Sequence, residues 1–254
     1  MIDTHSHIYS KAFNSDREEM IKRAVSQGVN SVLMPNIDST SIDAMLRCEE
    51  RAPKLCKAMM GLHPTSVKKD FKEELKIIEK WVNRREFIAI GETGLDLYHD
   101  TTFINEQKEA LKIQLKWAVE LDIPIVLHVR DAFNEVFDLL SSCYDSRLKG
   151  VFHSFSGNIE DAKKALSLEG FYLGINGTVT YKNSNLPNIL KETGYKKLMF
   201  ETDAPYLSPV PKRGKRNEPS YINYTVTKAA EIFNVKIEEL TEVTDRNAKE
   251  LFNL

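Results

Sequence analysis

The chain has 254 residues, of which 42% are hydrophobic and 28% charged, and its formal net charge is -2. That length suits one large domain or two small ones, the composition is that of an ordinary globular protein, and no apolar run approaches the roughly 20 residues of a membrane span. The charge balance excludes a general attraction for nucleic acid, so any polyanion must be held by a local basic patch or by metal ions.

Short apolar segments recur along the chain as candidate strands. They are "MIDTHSH", "SVLMPN" (31–36), "KAMMGLHP" (57–64), "FIAIGETGLD" (87–96), "PIVLHVRD" (124–131), "KGVFHSFSG" (149–157), "FYLGING" (171–177) and "KLMFETDAP" (197–205). Between them lie stretches of helical period, clearest at 16–28, 71–85 and 103–122, weaker at 132–143, 159–168 and 185–193. A further helix is expected over 221–233, with helical turns to the end. The segment 205–219, "PYLSPVPKRGKRNEP", has no periodic pattern and reads as the loop after the eighth strand.

Eight strands alternating with helices predict an α/β fold, a (β/α)8 TIM barrel with extra C-terminal helices. A doubly wound sheet is the competing arrangement. No Gly-, Pro- or Ser-rich linker and no internal repeat divides the chain, so a single domain over 1–254 is expected. Cys48, Cys56 and Cys143 are an odd number without tight pairing. They suggest buried thiols in a reducing compartment. The first residues lack a basic start followed by a long apolar stretch, which adds to the expectation of a cytoplasmic protein.

Nearly every candidate strand ends in a side chain that is expensive to bury. The first gives His5 and His7, the third His63, the fourth Glu92, the fifth His128, the sixth His153, and the eighth Glu201 and Asp203. Residues two apart on a strand point the same way, so His5 and His7 aim together, as do Glu201 and Asp203. In a barrel all of them converge on the C-terminal rim, where active sites form. One such histidine alone is as well read as a satisfied rim side chain. Five of the six histidines at strand ends are harder to dismiss, and four of them, with three carboxylates, make a nitrogen and oxygen donor set suited to zinc, manganese or a similar ion. The donors are scattered along the chain and the cysteines lie elsewhere, which favours an open catalytic site over a structural one. The sixth histidine, His99, is read as a surface loop residue or as a substrate contact.

Phosphate recognition needs cations or backbone donors. Arg130 follows His128 on the same alternating face, and Lys182 follows the seventh strand. "KRGKR" places Lys212, Arg213, Lys215 and Arg216 within five residues. Arg130, Lys182 and Arg216 are the candidate phosphate contacts. Tyr181, Tyr206 and Phe155 are candidates for stacking on a base or for packing. "GETGLD" is not a phosphate loop, and dinucleotide fingerprints are absent.

Together "DTHSH", "GLHP", "IGETGLD", "LHVRD", "FHSFSG", "ETDAPYL" and "RGKRNEP" resemble the TatD family of metal-dependent deoxyribonucleases, within the amidohydrolase-like barrels. The likeness runs from Ile2 to about Pro219, and "TDRNAKELF" fits the family's ending. The resemblance implies His5, His7 and Asp203 as ligands of one metal ion, Glu92 as a carboxylate bridging two, and His128 and His153 as ligands of the second. It implies Glu201 as a residue that supports a further ion or orients water in some members, and His63 as a histidine near the scissile phosphate. Two divalent ions are implied, zinc, manganese or magnesium, with a third in some members. Two positions depart from the pattern. Ser154 stands where many members carry cysteine, and Lys212 where members often carry histidine; neither is a proposed metal ligand.

Two ions sharing one carboxylate lower the pKa of a bridging water and offset charge on the phosphoryl oxygens. Asp203 is the expected general base and Glu201 the runner-up. The resemblance implies trimming of DNA from a 3' end, with single strands preferred, and a monomer is expected because a closed barrel has no open sheet edge that requires a partner. The alternative is a metal-dependent amidohydrolase or esterase acting on a cyclic amide, lactone or aminoacyl ester, since the same chemistry serves carbonyl centres. A non-enzymatic binding protein is the third reading, and no ligand is missing that would favour it.

Overall fold

The computed structural model describes residues 1–143 and 145–254. Among these residues the strands are β1 (Ile2–Asp3), β2 (Ser31–Met34), β3 (Cys56–Ala58), β4 (Ile90–Asp96), β5 (Ile125–Arg130), β6 (Gly150–His153), β7 (Phe171–Ile175) and β8 (Leu198–Phe200). The helices are α1 (Arg17–Ser26), α2 (Ile42–Arg51), α3 (Phe71–Val82), α4 (Ile104–Glu120), α5 (Phe133–Ser142), α6 (Ile159–Ser167), α7 (Leu186–Thr193), α8 (Ile222–Phe233) and α9 (Ile237–Phe252). Strands and helices therefore alternate as the apolar pattern predicts, with α8 and α9 added at the C-terminal end. Helix α2 is the one that the sequence reading did not anticipate. It buries Ile42, Met45 and Cys48 on one face and leaves the acidic and basic residues of "IDAMLRCEER" on the other.

All strand pairs are parallel, in two sheets of order β1-β2-β3 and β4-β5-β6-β7-β8. Backbone contacts cross both places where the sheets meet. At one, Met60 pairs with Ile90 as an isolated parallel bridge, and the Gly91 N–H donates to the Met60 carbonyl at 3.0 Å. At the other, the Thr4 N–H donates to the Phe200 carbonyl at 3.1 Å and the Asp203 N–H to the His5 carbonyl at 2.9 Å. The strands are shorter than the apolar segments that announce them, and in most cases the polar side chain follows the last paired residue.

The main core lies between the strands and the surrounding helices. A second, separate apolar cluster draws on every strand region in turn: Ile2, Leu33, Met59, Ala89, Val126, Val151, Tyr172 and Met199. Ala248, Leu251 and Phe252 of α9 pack on this cluster, which explains why the chain carries a helix beyond α8. The amphipathic helix covers apolar strand residues at the end of the fold opposite the polar strand tips. No helix among the described residues is long and apolar enough to cross a membrane.

Candidate metal centre

The histidines and acids announced by the strand ends do meet. Glu92, buried on β4, is the hub. Its Oε1 lies 2.9 Å from His128 Nδ1, 2.9 Å from His153 Nε2 and 3.3 Å from His63 Nε2. Its Oε2 lies 3.1 Å from His5 Nε2 and 3.6 Å from His7 Nε2. Asp203 faces the same two rings, its Oδ1 at 3.9 Å from His5 Nε2 and 3.6 Å from His7 Nε2. The His5 and His153 rings stack with centroids 3.6 Å apart.

Two backbone features hold the hub against its partners. Gly94, two residues past Glu92, has φ +147, and a Cβ there would run into the backbone of His128. Only a glycine lets β4 lie this close to β5. Behind the site, buried Asp3 accepts from the Thr202 N–H at 2.9 Å and the Thr202 hydroxyl at 2.6 Å. That pair ties the first strand to the segment carrying Asp203.

The electrostatics divide the histidines into two kinds. Burial, the largest cause, pushes His5 well below the ordinary imidazole value and His7 down to about 4, so both rings are neutral. Burial also opposes charge on His128 and His153. There it is outweighed, for His128 by hydrogen bonds to Asp96 and Glu92 and for His153 by the charges of Glu92 and Glu201, and both are raised. Geometry agrees, because both nitrogens of each of these two rings face carboxylate oxygens. Burial would likewise raise Glu92, but the surrounding histidines outweigh it and hold its carboxyl well below the usual range. Asp203 is pushed up to about 8, first by burial and then, against the attraction of His153, by the nearby Glu92 and Glu201.

Hydrogen bonding also fixes tautomers. The Tyr9 hydroxyl donates to the Pro35 carbonyl at 2.6 Å, so its oxygen accepts from His7 Nδ1 at 3.0 Å. The lone pair of His7 is then on Nε2, toward Glu92 and Asp203. His63 is the reverse. Its Nδ1 accepts the Thr65 N–H at 3.1 Å, so the ring's own proton sits on Nε2 and points into the cavity. His63 is thus presented as a hydrogen-bond donor, as suits a histidine beside a phosphate better than a metal ligand.

Three groups have donor atoms all within 4.8 Å of one another: His5, Glu92 and His153; His5, His7 and Asp203; His63, Glu92 and His128. These side chains suit one or more divalent ions. The neutral His5 and His7, the ionised Glu92 and the buried, unpartnered His5 Nδ1 and Glu201 Oε2 are a donor set in excess of its internal partners.

The remaining candidates fall in different places. Glu201 is fully buried; its Oε1 accepts from the Ser154 N–H at 2.6 Å and lies 3.1 Å from His153 Nδ1, so it orients that ring from behind. It does not line the open cavity, whereas Asp203 does. Arg130 is exposed at the cavity wall, over the ring of Tyr98. Lys182 is exposed and does not line the cavity. Arg216 does not line it either: its guanidinium grips Asp16 through two bonds of 2.7 Å. Phe155 is packed in the core, and Tyr181 is held by the Ser208 carbonyl, while Tyr206 stands exposed at the cavity. His99 is exposed, lines the cavity and is held by Asp96 at 2.8 Å.

Sequence reasoning missed Asp96. Buried at the end of β4, its Oδ2 accepts from His128 Nε2 at 2.9 Å. The signal was available, since Glu92 and Asp96 are four apart on one strand, but "GLD" reads first as a turn. Asp96 lines, with His7, His63, Glu92, His128, His153 and Asp203, a cavity of about 660 Å³.

The family model described as TatD related DNase matches residues 2–253. The chain belongs to the TatD family. It is 34% identical over 255 residues to the metal-dependent hydrolase YabD of Bacillus subtilis, covering 100% of this chain and 99% of the relative. It is 32% identical over 260 residues to the 3'-5' ssDNA/RNA exonuclease TatD of Salmonella typhimurium, covering 100% and 99%. The crystal structure of the TatD homologue YjjV of Escherichia coli superposes with a TM-score of 0.93 at 29% identity, covering 100% of this chain and 98% of that one. The TatD chain described here is accordingly a metal-dependent hydrolase of TatD type, related to the TatD nucleases, and its parallel α/β fold is that of the amidohydrolase-like superfamily.

Proposed function

We propose that this hydrolase cleaves phosphodiester bonds of nucleic acid, trimming single-stranded DNA from the 3' end. The observation that carries the reading is the convergence of His5, His7, Glu92, His128, His153 and Asp203 on one centre, all but the buried His5 lining a cavity that also presents the His63 Nε2–H and the Arg130 guanidinium. Likeness along the whole chain to a 3'-5' ssDNA/RNA exonuclease supports the choice of substrate. In this reading His5, His7 and Asp203 would hold one ion and His128 and His153 the second, with Glu92 a ligand available to both.

Bound divalent ions supply Lewis acidity and a water acidified to near neutral pH. The chain's own residues do the rest. Asp203, at the cavity wall, takes a proton from the attacking water and returns it to the leaving oxygen. His63 donates through Nε2 to a phosphoryl oxygen. Glu201 and Asp96 fix the His153 and His128 rings from outside.

The same reading has the eight strands closing as a (β/α)8 barrel in a single domain over 1–254. The backbone bonds at both sheet junctions and the apolar cluster drawn from every strand region support it. It has the protein acting as a monomer in the cytoplasm, where free Cys48, Cys56 and Cys143 are at home.

The test is the purified protein offered 5'-labelled single- and double-stranded DNA, before and after chelation and metal return. A ladder of shortening single strands that disappears with chelation and returns with metal is expected. Metal-dependent hydrolysis of an amide or carboxylic ester, with DNA and RNA left intact, would overturn the nuclease reading.

A further inference from the structure

Among the described residues, Tyr98 and Tyr206 are the only Phe, Trp or Tyr side chains left exposed, at 62% and 55%. Both line the metal cavity. They come from distant parts of the chain. Tyr98 follows β4 and Tyr206 follows β8, the two outer strands of the five-stranded sheet, and the rings have different neighbours, Arg130 for Tyr98 and His7 for Tyr206.

Each ring is also anchored to the centre. The Tyr98 N–H donates to Asp96 Oδ1 at 3.0 Å, and Asp96 holds His128. The Tyr206 N–H donates to the Asp203 carbonyl at 2.8 Å, and its ring centroid is 6.1 Å from that of His7. Arg130 lies over the Tyr98 ring at 4.9 Å, and the His99 ring meets the same tyrosine edge-on at 5.1 Å.

Two exposed aromatic rings at one polar cavity are surface waiting for a flat, apolar-faced partner. A planar base offers a face of that kind, and the phosphate joining two bases would lie between the rings, over the histidines. The Arg130 guanidinium adds a cation that also serves the backbone. Resting on the nuclease reading above, we infer that Tyr98, backed by Arg130, and Tyr206 are stacking platforms for the bases on either side of the scissile phosphate of a single strand. Bases inside a duplex already have both faces covered, so the platforms select unpaired ends. Every base has a π-face, so they select without regard to sequence.

The test uses the metal-loaded full chain, Tyr98→Ala and Tyr206→Ala, with the Phe variants as conservative controls. The probes are a single-stranded oligothymidylate and the same strand with abasic sites at its last two 3' positions. Each Ala variant should raise KM for the oligothymidylate by roughly five- to a hundredfold, the range of one base–aromatic stack, with kcat less affected. The Phe variants should restore it, and the abasic strand should be a poor substrate that the Ala variants worsen no further. Ala variants with the wild-type KM, or an equal loss on both strands, would overturn the platforms and leave the nuclease reading intact. A wild type that cuts neither DNA nor RNA would overturn both.

Discussion

Asp96 Oδ2 accepts a hydrogen bond from His128 Nε2 at 2.9 Å, which leaves His128 Nδ1 as the nitrogen facing Glu92. A carboxylate behind a ligating imidazole fixes both its tautomer and its ring plane. Asp96→Ala should therefore weaken binding of one ion by about ten- to a hundredfold while the other is little changed. Titration against a chromophoric chelator reads this directly. Circular dichroism of the metal-free variant separates it from a folding defect. Equal and unchanged affinity at both ions would remove the orienting role of Asp96.

Metal loading should release protons. Without an ion, His153 is held well above the ordinary imidazole value, His128 is raised, and Asp203 is raised to about 8. At pH 7 His153 and Asp203 carry protons that an ion must displace, and His128 is shifted in the same direction, whereas neutral His5 and His7 have none to give. Binding that releases protons tightens as pH rises and weakens as pH falls. Calorimetric titrations at pH 7 in buffers of different ionisation enthalpy should show about two or more protons released on full loading. Zero net release would contradict the protonation pattern of the site.

Arg216 should matter more for stability than for substrate. It bonds Asp16 through both nitrogens, and Arg23 joins Asp16 to Glu218, so this network ties α1 to the long loop after β8. The hydrogen bonds from Arg216 and then Arg23 hold the Asp16 carboxyl below its ordinary value of 3.8. A carboxyl depressed in the folded state stabilises above the unfolded value, and that contribution fades as pH falls through the folded one. Asp16 is partly exposed, so Asp16→Asn should cost only about 1 kcal/mol near neutrality. The gap in melting temperature should shrink steadily below about pH 4. Arg216→Ala should lower the melting temperature by a few degrees and leave KM for single-stranded DNA within about twofold. A large rise in KM without loss of stability would return Arg216 to the substrate.

The sequence made most of the strand and helix order readable, because each buried parallel strand is a short apolar run and each flanking helix an amphipathic one. It also made the cluster readable, because histidine and carboxylate at the ends of apolar runs are costly unless they serve one another. Three things were missed or misread. Helix α2 is as long as α1 and α5, and its buried Ile42, Met45 and Cys48 recur at helical spacing, so its signal was present in the sequence and was passed over. Asp96 was hidden in a glycine-containing segment, since nothing local says that it will reach His128 on the next strand. Arg216 looked like a phosphate ligand because charge density shows in sequence, whereas its partner Asp16, two hundred residues away, does not.

Glu92 carries the most weight in a single side chain. Five imidazoles lie within 3.6 Å of its two oxygens, and its carboxyl stays ionised despite burial because of them. Glu92→Gln keeps the volume and removes the charge. His153 then loses its chief counter-charge and His128 one of its two carboxylate partners in the metal-free protein, and the centre loses the carboxylate placed to be shared between ions. Metal analysis should show at least one ion lost per chain after dialysis against buffer, and cleavage of labelled single strands should fall by roughly a hundredfold or more. Because His128 and His153 no longer hold their protons as firmly, fewer protons should be released on reloading than in the wild type. A Glu92→Gln protein with full metal content and an undiminished rate would sink the bridging role.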